Sequence, residues 1–446
     1  MLLAYIIYIV YLLFAIHNLR KAILAWMPIQ LFFINPQIAL RYNSPAIYLN
    51  LAIEMSLLII YLSKTGVQLR KERFNDSKFL FGSILTVTAV SYFLSLLFSI
   101  VSFSSVMMET IRTFLSNFLF LYLFQKALSS KKDVKYVLLC CFSVIVPIFL
   151  LGLYESIFRD NPWLDYVYLH SNIEYMRMYY RPPFISGGPW IRYGFVRAYS
   201  FFYIHIQYGA ICVFLLALLV PYYKLKGLGV NRSWLIASSI MLVTCVLMSN
   251  SKTSMVGIIP IIFLVFLNTP PSKRLSYVMP LTIALIAAIL LVPGYFDNLF
   301  SLVDESIDDG GGSNVQMRKR QLEVALGMFA KSPIFGNGIG SISVLEKFGD
   351  NADILGSESV WLKLLPERGI LGVFVYIYSL YYMYDRFQLR IPKMILLSFL
   401  ASLVLMETST GFMPMSIYGS VLIMLYRSFD SKNFMATSRT DYYNTL

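Results

Sequence analysis

"YVLLCCFSVIVPIFLLGLY", Tyr136 to Tyr154, carries no charged side chain. As a helix it is long enough to cross about 30 Å of hydrocarbon. Comparable runs recur along the chain, among them "AIYLNLAIEMSLLIIYLS" and "LSYVMPLTIALIAAILLVPGY". Strands of a membrane barrel would appear as alternating segments of about ten residues, whereas these runs are continuous and about twice that length. Composition agrees. With 58% hydrophobic and 14% charged residues and a mean hydropathy of +0.66, the chain has too few charges to cover a water-exposed surface. The expected fold class is an all-α polytopic integral membrane protein.

The formal charge of +13 would suit a nucleic-acid binder, but its placement argues otherwise. The basic clusters "HNLRK", "LRKERFNDSK", "SSKKDVK", "YYKLKGLGVNR", "PPSKR" and "DRFQLRIPK", with the tail from Arg427, all fall on one side of an alternating topology. That is the positive-inside bias, so no nucleic-acid partner is expected. The spans read as 1–16, 22–36, 46–62, 80–104, 106–126, 136–155, 201–222, 233–249, 253–268, 276–293, 359–384, 393–409 and 413–426. The count is thus about 12–13 transmembrane helices, the lower figure applying if the first two runs form a re-entrant pair or one is interfacial. The first run lacks a charged leader and leads into "HNLRK" rather than a cleavage site, so it reads as a retained span. Cys140, Cys141, Cys212 and Cys245 lie inside apolar spans and read as small hydrophobes.

Five segments follow: amino-terminal transmembrane helices over 1–155, an external loop over 156–200, central helices over 201–293, a second external loop over 294–358 containing a helix at 318–332, and carboxyl-terminal helices with a cytoplasmic tail over 359–446. The two large external loops are the sizeable polar regions, and loops of such length usually carry function. No internal repeat or inverted pair of broken helices of the secondary-transporter kind is evident. "DESIDDGGGSN", Asp304 to Asn314, is acidic and then glycine-rich, as a flexible link would be.

The chemistry-bearing positions cluster at the external ends. "PWIRYGFVRAYSFFYIHIQYGA" carries Arg192 and Arg197 toward the seventh span, where a guanidinium is costly unless paired or facing water. Arg192 suits an interfacial arginine meeting lipid phosphate, and Arg197 a ligand-facing one. "MSNSKTSMVG" surrounds Lys252 with hydroxyls; such a lysine either neutralises a phosphate or snorkels at a helix end. "RKRQLEVALGMFAKSP" has apolar Leu322, Ala325, Leu326 and Phe329 at helical spacing and stops at Pro333. Arg318, Lys319 and Arg320 in its first turn oppose the helix dipole, and an anion would offset them. Gly336, Gly338 and Gly340 in "PIFGNGIGS" permit close backbone approach to a ligand or to another helix. In "GSESVWLKLLPERGILGVFVYIY", Glu367 and Arg368 read as a local ion pair, whereas Glu358, at the junction of loop and membrane, suits acid–base chemistry.

Taken in order, these motifs resemble the conserved half of the bacterial O-antigen polymerase and ligase family, which includes Wzy-type polymerases, lipopolysaccharide O-antigen ligases and protein O-oligosaccharyltransferases. The resemblance covers about residues 190 to 410. Arg197 begins a G-x-F-x-x-P-N-like run in which Ser200 replaces the glycine. "SNSKTS" matches the small-polar-basic turn, with lysine for the more usual arginine. Arg318, Leu322, Ala325, Leu326, Pro333, Gly336 and Gly338 align with R-x-x-x-W-x-x-A-L and P-x-x-G-x-G, without the tryptophan. "ESVWLKLLPERGILG" fits H-N-x-Y-L-x-x-L-x-E-x-G-I-x-G, with Glu358 in place of the histidine and Ser359 in place of the asparagine.

The resemblance implies a glycosyltransferase in the bacterial cytoplasmic membrane, working on its external face with an undecaprenyl-diphosphate-linked glycan and no cofactor or metal. Arg197 and Arg318 would clamp the diphosphate with help from Lys252, Arg192 and Arg320 are secondary candidates, and Glu358 would take the proton from the acceptor hydroxyl in an inverting displacement. Polymerisation of repeat units into O-antigen, capsule or exopolysaccharide is the first expectation, and ligation to lipid or protein the second. A lipid-linked oligosaccharide flippase or transporter is the reading from another class. Membrane lipid, a chain-length regulator and a flippase are the expected partners.

Overall fold

In the computed structural model, the described residues are 2–33, 39–41, 47–68, 79–99, 102–170, 191–192, 195–202, 205–223, 230–267, 315–342, 359–410 and 415–429. Helices dominate them. Two short antiparallel pairings lie outside the helices, β1 (Ala39–Arg41) with β2 (Ile47–Tyr48) and β3 (Ile191–Arg192) with β4 (Phe195–Val196).

Helix α1 (Leu2–His17) breaks at Asn18, whose side chain caps α2 (Leu19–Ile29) by accepting the Lys21 N–H at 3.1 Å. Ala22 to Pro28 of α2 are all buried. Its 11 residues and the 4-residue 3-10 turn that follows reach only about 24 Å, short of the hydrocarbon thickness. Within the run expected to span 22–36, the described residues end at Phe33 and form a short, buried helix followed by a 3-10 turn. Helices α3 (Leu49–Gln68) and α4 (Gly82–Leu97) follow. Helix α5 (Phe103–Thr113) continues through a π-turn (Phe114–Leu119) into α6 (Phe120–Ala127). Asn117 in that turn donates to Thr113 O and accepts the Ser416 N–H, which ties the irregular turn to the last helix.

Ser130 and Asp133 form a reciprocal capping box that starts α7 (Lys131–Phe158), and Arg20 pairs with Asp133. Helix α7 ends at Arg159, which adopts the left-handed conformation (φ 55°). Asn161 then caps α8 (Pro162–His170), accepting the Leu164 N–H at 3.0 Å, with proline in the first helical position.

At the centre stands α9 (His205–Tyr222), buried along nearly its whole length. It packs on α10 (Arg232–Met248), on the short α11 (Lys252–Gly257) and on α15 (Lys393–Thr410); α7 lies between α2 and α10. Helix α12 (Ile259–Leu267) packs on α15, and α16 (Met415–Phe429) on α6. Helix α13 (Val315–Lys331) docks chiefly on α14 (Val360–Phe387), which also meets α4. Helices α7 and α9 are long and apolar enough to cross a membrane, while four further apolar helical segments, Leu3–His17, Gly82–Leu97, Arg232–Met248 and Lys252–Leu267, are shorter. The expected span 276–293 and the expected link at 304–314 lie outside the described residues.

One interlock shapes the α13–α14 unit. Helix α14 breaks at Gly369 (φ 62°, ψ −158°), three residues after Pro366. A break frees backbone groups that ordinary helix bonding would satisfy. The segment after α13 supplies the partners: Pro333 O accepts the Ile370 N–H at 2.9 Å and Ile334 O the Leu371 N–H at 3.2 Å. In return Asn337 N donates to Pro366 O at 2.8 Å, Gly338 N to Glu367 O at 3.1 Å, and Gly340 N to Glu367 Oε1 at 3.0 Å.

Candidate functional site

The residues that follow β4 bring two of the predicted pieces together. Arg197 is buried, and the next three backbone N–H groups are all held by helices. Ala198 N donates to Met248 O at the end of α10 (3.0 Å), while Tyr199 N and Ser200 N both donate to Glu155 Oε2 near the end of α7 (2.8 Å each). Ser200 takes a positive φ of 53°, and its hydroxyl donates to Ile148 O at 2.8 Å. This places Arg197 beside the turn that leads from Met248 to Lys252. The turn is polar and enclosed: Ser249, Asn250, Ser251 and Ser254 are buried, Asn250 adopts φ 44°, and Lys252 is half-buried. A side chain at Gly209 of α9 would collide with the Ser249 and Ser254 hydroxyls, so α9 forms the wall directly behind the turn.

The remaining predicted residues are placed less completely. Arg318 lies in the first turn of α13, and its side chain is outside the described residues, as are the Arg192 side chain and the whole of Glu358. Lys319 and Arg320 are exposed. Ser359, the residue after Glu358, is the N-cap of α14 and accepts the Trp361 N–H at 3.3 Å. Helix α13 buries Gln321, Ala325 and Met328, while Leu322 and Leu326 of the expected packing face are exposed. Its packing stripe is thus rotated from the one the apolar spacing suggested.

The glycine loop takes the second of its two expected roles, close approach to another helix. A Cβ at Gly336 would strike the backbone of Glu367 and Arg368, and one at Gly338 would strike Ser99. Both have positive φ, 74° and 100°. Phe335 stacks on Phe98 at 4.4 Å between centroids. The glycines bring the loop against α14 and the end of α4, so close approach serves helix packing. Glu367 and Arg368, expected as a local ion pair, do interact through their charges, and each also makes a hydrogen bond of its own. Glu367 takes the Gly340 N–H, whereas Arg368 donates to Tyr92 OH at 2.8 Å and lies over the Tyr92 ring at 4.3 Å.

The turn and the interlock both fall within one matched stretch of the chain. Residues 237–377 match the O-antigen ligase family model, Wzy_C. The match runs from within α10 to within α14, so the Wzy_C segment holds the Lys252 turn, α13, the glycine loop and the break at Gly369. Over that stretch the chain is similar to the O-antigen ligase family, in keeping with the resemblance drawn from the motifs. Arg197 lies outside the Wzy_C segment and reaches it through Ala198 and Met248. No curated protein matches the chain.

Sequence reasoning passed over Glu155, Asn161 and Glu407. Asn161 Nδ2 donates to Glu155 Oε2 at 3.0 Å and to Ser200 O at 2.9 Å. Buried Glu407 of α15 accepts from Tyr376 OH at 2.6 Å. A signal existed, since Glu155 is the carboxylate directly after the uncharged run Tyr136–Tyr154, and an ionisable group at such a place calls for a partner. In α8, burial, with the Asp160 charge adding to it, pushes the Asp165 carboxyl up. Among the described residues no group of three or more His, Cys, Asp or Glu is assembled that could hold a metal ion.

Proposed function

We propose that the protein joins oligosaccharide repeat units carried on undecaprenyl diphosphate into a surface polysaccharide, as an O-antigen, capsule or exopolysaccharide polymerase on the external face of the bacterial cytoplasmic membrane. The observation that carries the reading is the Ala198–Met248 bond, which sets Arg197 beside the Lys252 turn of the O-antigen ligase segment. Two cations in an enclosed polar setting suit a leaving diphosphate, whose charge grows as the bond to the anomeric carbon breaks. In this reading the acceptor hydroxyl attacks the anomeric carbon from the opposite face. The new glycosidic bond forms, undecaprenyl diphosphate departs toward Arg197, Lys252 and Arg318, and the hydroxyl proton passes to Glu358. The transfer inverts the anomeric centre and takes its charge stabilisation from these cations rather than from a metal.

A multi-pass membrane location is supported by the outer surface of the helices. Ile9, Val10 and Leu13 of α1, Phe93 and Leu97 of α4, Ile240 of α10 and Phe374, Ile377 and Tyr381 of α14 are exposed, while Glu155, Arg197, Glu367 and Glu407 are buried. That inversion of the soluble pattern suits lipid as the surrounding solvent. Membrane lipid is then a permanent partner, and a flippase and a chain-length regulator are the proteins such a polymerase would work with.

Ligation of a finished glycan to lipid or protein is the second reading, favoured by the description of the matched family. The two differ in the acceptor. The test supplies the purified protein, in liposomes, with undecaprenyl-diphosphate repeat units and no nucleotide sugar, and reads the length of the lipid-linked product. A ladder of single-unit steps that disappears in Glu358→Gln and Arg318→Ala is expected, and it should persist in Arg274→Ala, a control in the basic cluster "PPSKR" expected on the cytoplasmic side. Transfer to a lipid or protein acceptor without a ladder assigns the ligase, and no transfer to any acceptor overturns both and revives the transporter reading.

A further inference from the structure

The buried carboxylate of Glu155 is the most heavily committed polar group near Arg197. Its Oε2 accepts three N–H groups, from Tyr199 and Ser200 (2.8 Å each) and from Asn161 Nδ2 (3.0 Å). Asn161 spends its other bonds on the same construction, donating to Ser200 O at 2.9 Å and capping α8 through Leu164 N at 3.0 Å. The Ser200 hydroxyl closes the turn onto Ile148 O, one helical stretch below Glu155 on α7. A positive φ at Ser200, uncommon for a residue with a Cβ, persists where surrounding bonds over-determine it. Glu155 Oε1 is buried and has no hydrogen-bond partner among the described residues, so Oε2 carries the whole of the recorded bonding.

Before Arg197 the chain is held by the β3–β4 pairing, Ile191 with Val196 and Arg192 with Phe195. After it, three successive amides are fixed to α10 and α7. We propose that Glu155 is a positioning residue for the anion site: by gathering Tyr199, Ser200 and Asn161 it holds the 195–200 turn so that Arg197 is presented beside Lys252. Geometry matters here because three N–H groups converge on the one oxygen, and all three lose that acceptor together when it is removed. Asn161 extends the hold, linking the turn to the start of the 156–200 loop. The ligand, a diphosphate, rests on the function proposed above; the positioning does not.

Two readouts separate these. With Cys140→Ser as background, Arg197→Cys reports whether the turn is docked, through its labelling rate by a polar maleimide in liposomes. Buried Cys212 and Cys245 report general unfolding. Adding Glu155→Ala is expected to speed labelling of Cys at position 197 at least tenfold with Cys212 and Cys245 still protected. Glu155→Gln, which keeps one acceptor oxygen and replaces the other with an amide NH2, is expected to speed it less. In the Arg197-containing protein, Glu155→Gln is expected to weaken inorganic pyrophosphate binding severalfold, and to have no effect once Arg197→Ala is present, because residues acting through one another are non-additive.

Unchanged labelling in both Glu155 variants overturns the proposal, as does exposure of Cys212 and Cys245 in both, which would make Glu155 a support of the whole bundle. If Glu155→Ala alone exposes them, Glu155→Gln decides. Faster labelling together with pyrophosphate binding that neither Glu155→Gln nor Arg197→Ala alters keeps the positioning role and sinks the diphosphate reading.

Discussion

Replacing Gly369 by alanine strikes the point where α14 and the glycine loop are knitted. With φ 62° and ψ −158°, Gly369 occupies a region that residues with a Cβ enter at a cost of about 1–3 kcal/mol. The new methyl would also strike the carbonyls of Pro333 and Ile334, which accept the Ile370 and Leu371 amides. Each of those bonds contributes about 0.5–1.5 kcal/mol net. Strain plus the two lost bonds gives about 2–6 kcal/mol against the docked loop. At about 1.4 kcal/mol per tenfold, even the lower figure speeds local opening about 30-fold. Hydrogen–deuterium exchange of the Asn337 and Gly338 amides, which bond to Pro366 O and Glu367 O, measures that opening directly. Gly327→Ala is the control: it sits in α13 with nothing near its added methyl, and should stabilise the helix by about 0.5–1 kcal/mol. Exchange at Asn337 and Gly338 that stays within threefold of the parent in Gly369→Ala would refute the interlock.

Arg368→Lys keeps the charge but gives up the planar group that both stacks on Tyr92 and donates to its hydroxyl. A loss of about 1–2 kcal/mol is expected, read as a lower unfolding temperature in detergent, and Tyr92→Phe should cost less because it keeps the ring. Asp165→Asn tests the electrostatics of α8. A carboxyl whose folded pKa is raised binds its proton more tightly folded than unfolded, so it weakens the fold as pH rises above the unfolded value near ~3.9 and does nothing below it. The variant is therefore expected to match the parent near pH 3 and to resist proteolysis within α8 better at pH 7; a difference of the opposite sign would contradict the assignment.

Hydropathy made α7 and α9 legible because an uncharged run of that length has few other homes, and Pro333 marked where α13 would stop. The family segment was legible through spaced glycines and basic residues, although spacing says only that backbones approach and not which ones. Here the approach is to Glu367, Arg368 and Ser99. Helix α2 is apolar because its residues from Ala22 to Pro28 are buried against other helices. In α13 two apolar stripes were available, and the one containing Gln321 and Met328 is the one packed on α14. Glu155 was hidden for another reason. Its partners are main-chain amides more than forty positions along the chain, and a backbone N–H leaves no trace in the residue pattern.

The bond from Ala198 to Met248 is one of those that cross the boundary of the matched segment. A chimaera that exchanges residues 237–377 between relatives would transplant the lysine turn and the glycine interlock while leaving the arginine and its carboxylate anchor with the recipient. Such grafts would inherit a junction designed by neither parent. Moving residues 155–200 together with the matched stretch would keep both sides of that junction from one source, so the smallest exchangeable unit is larger than the recognisable one.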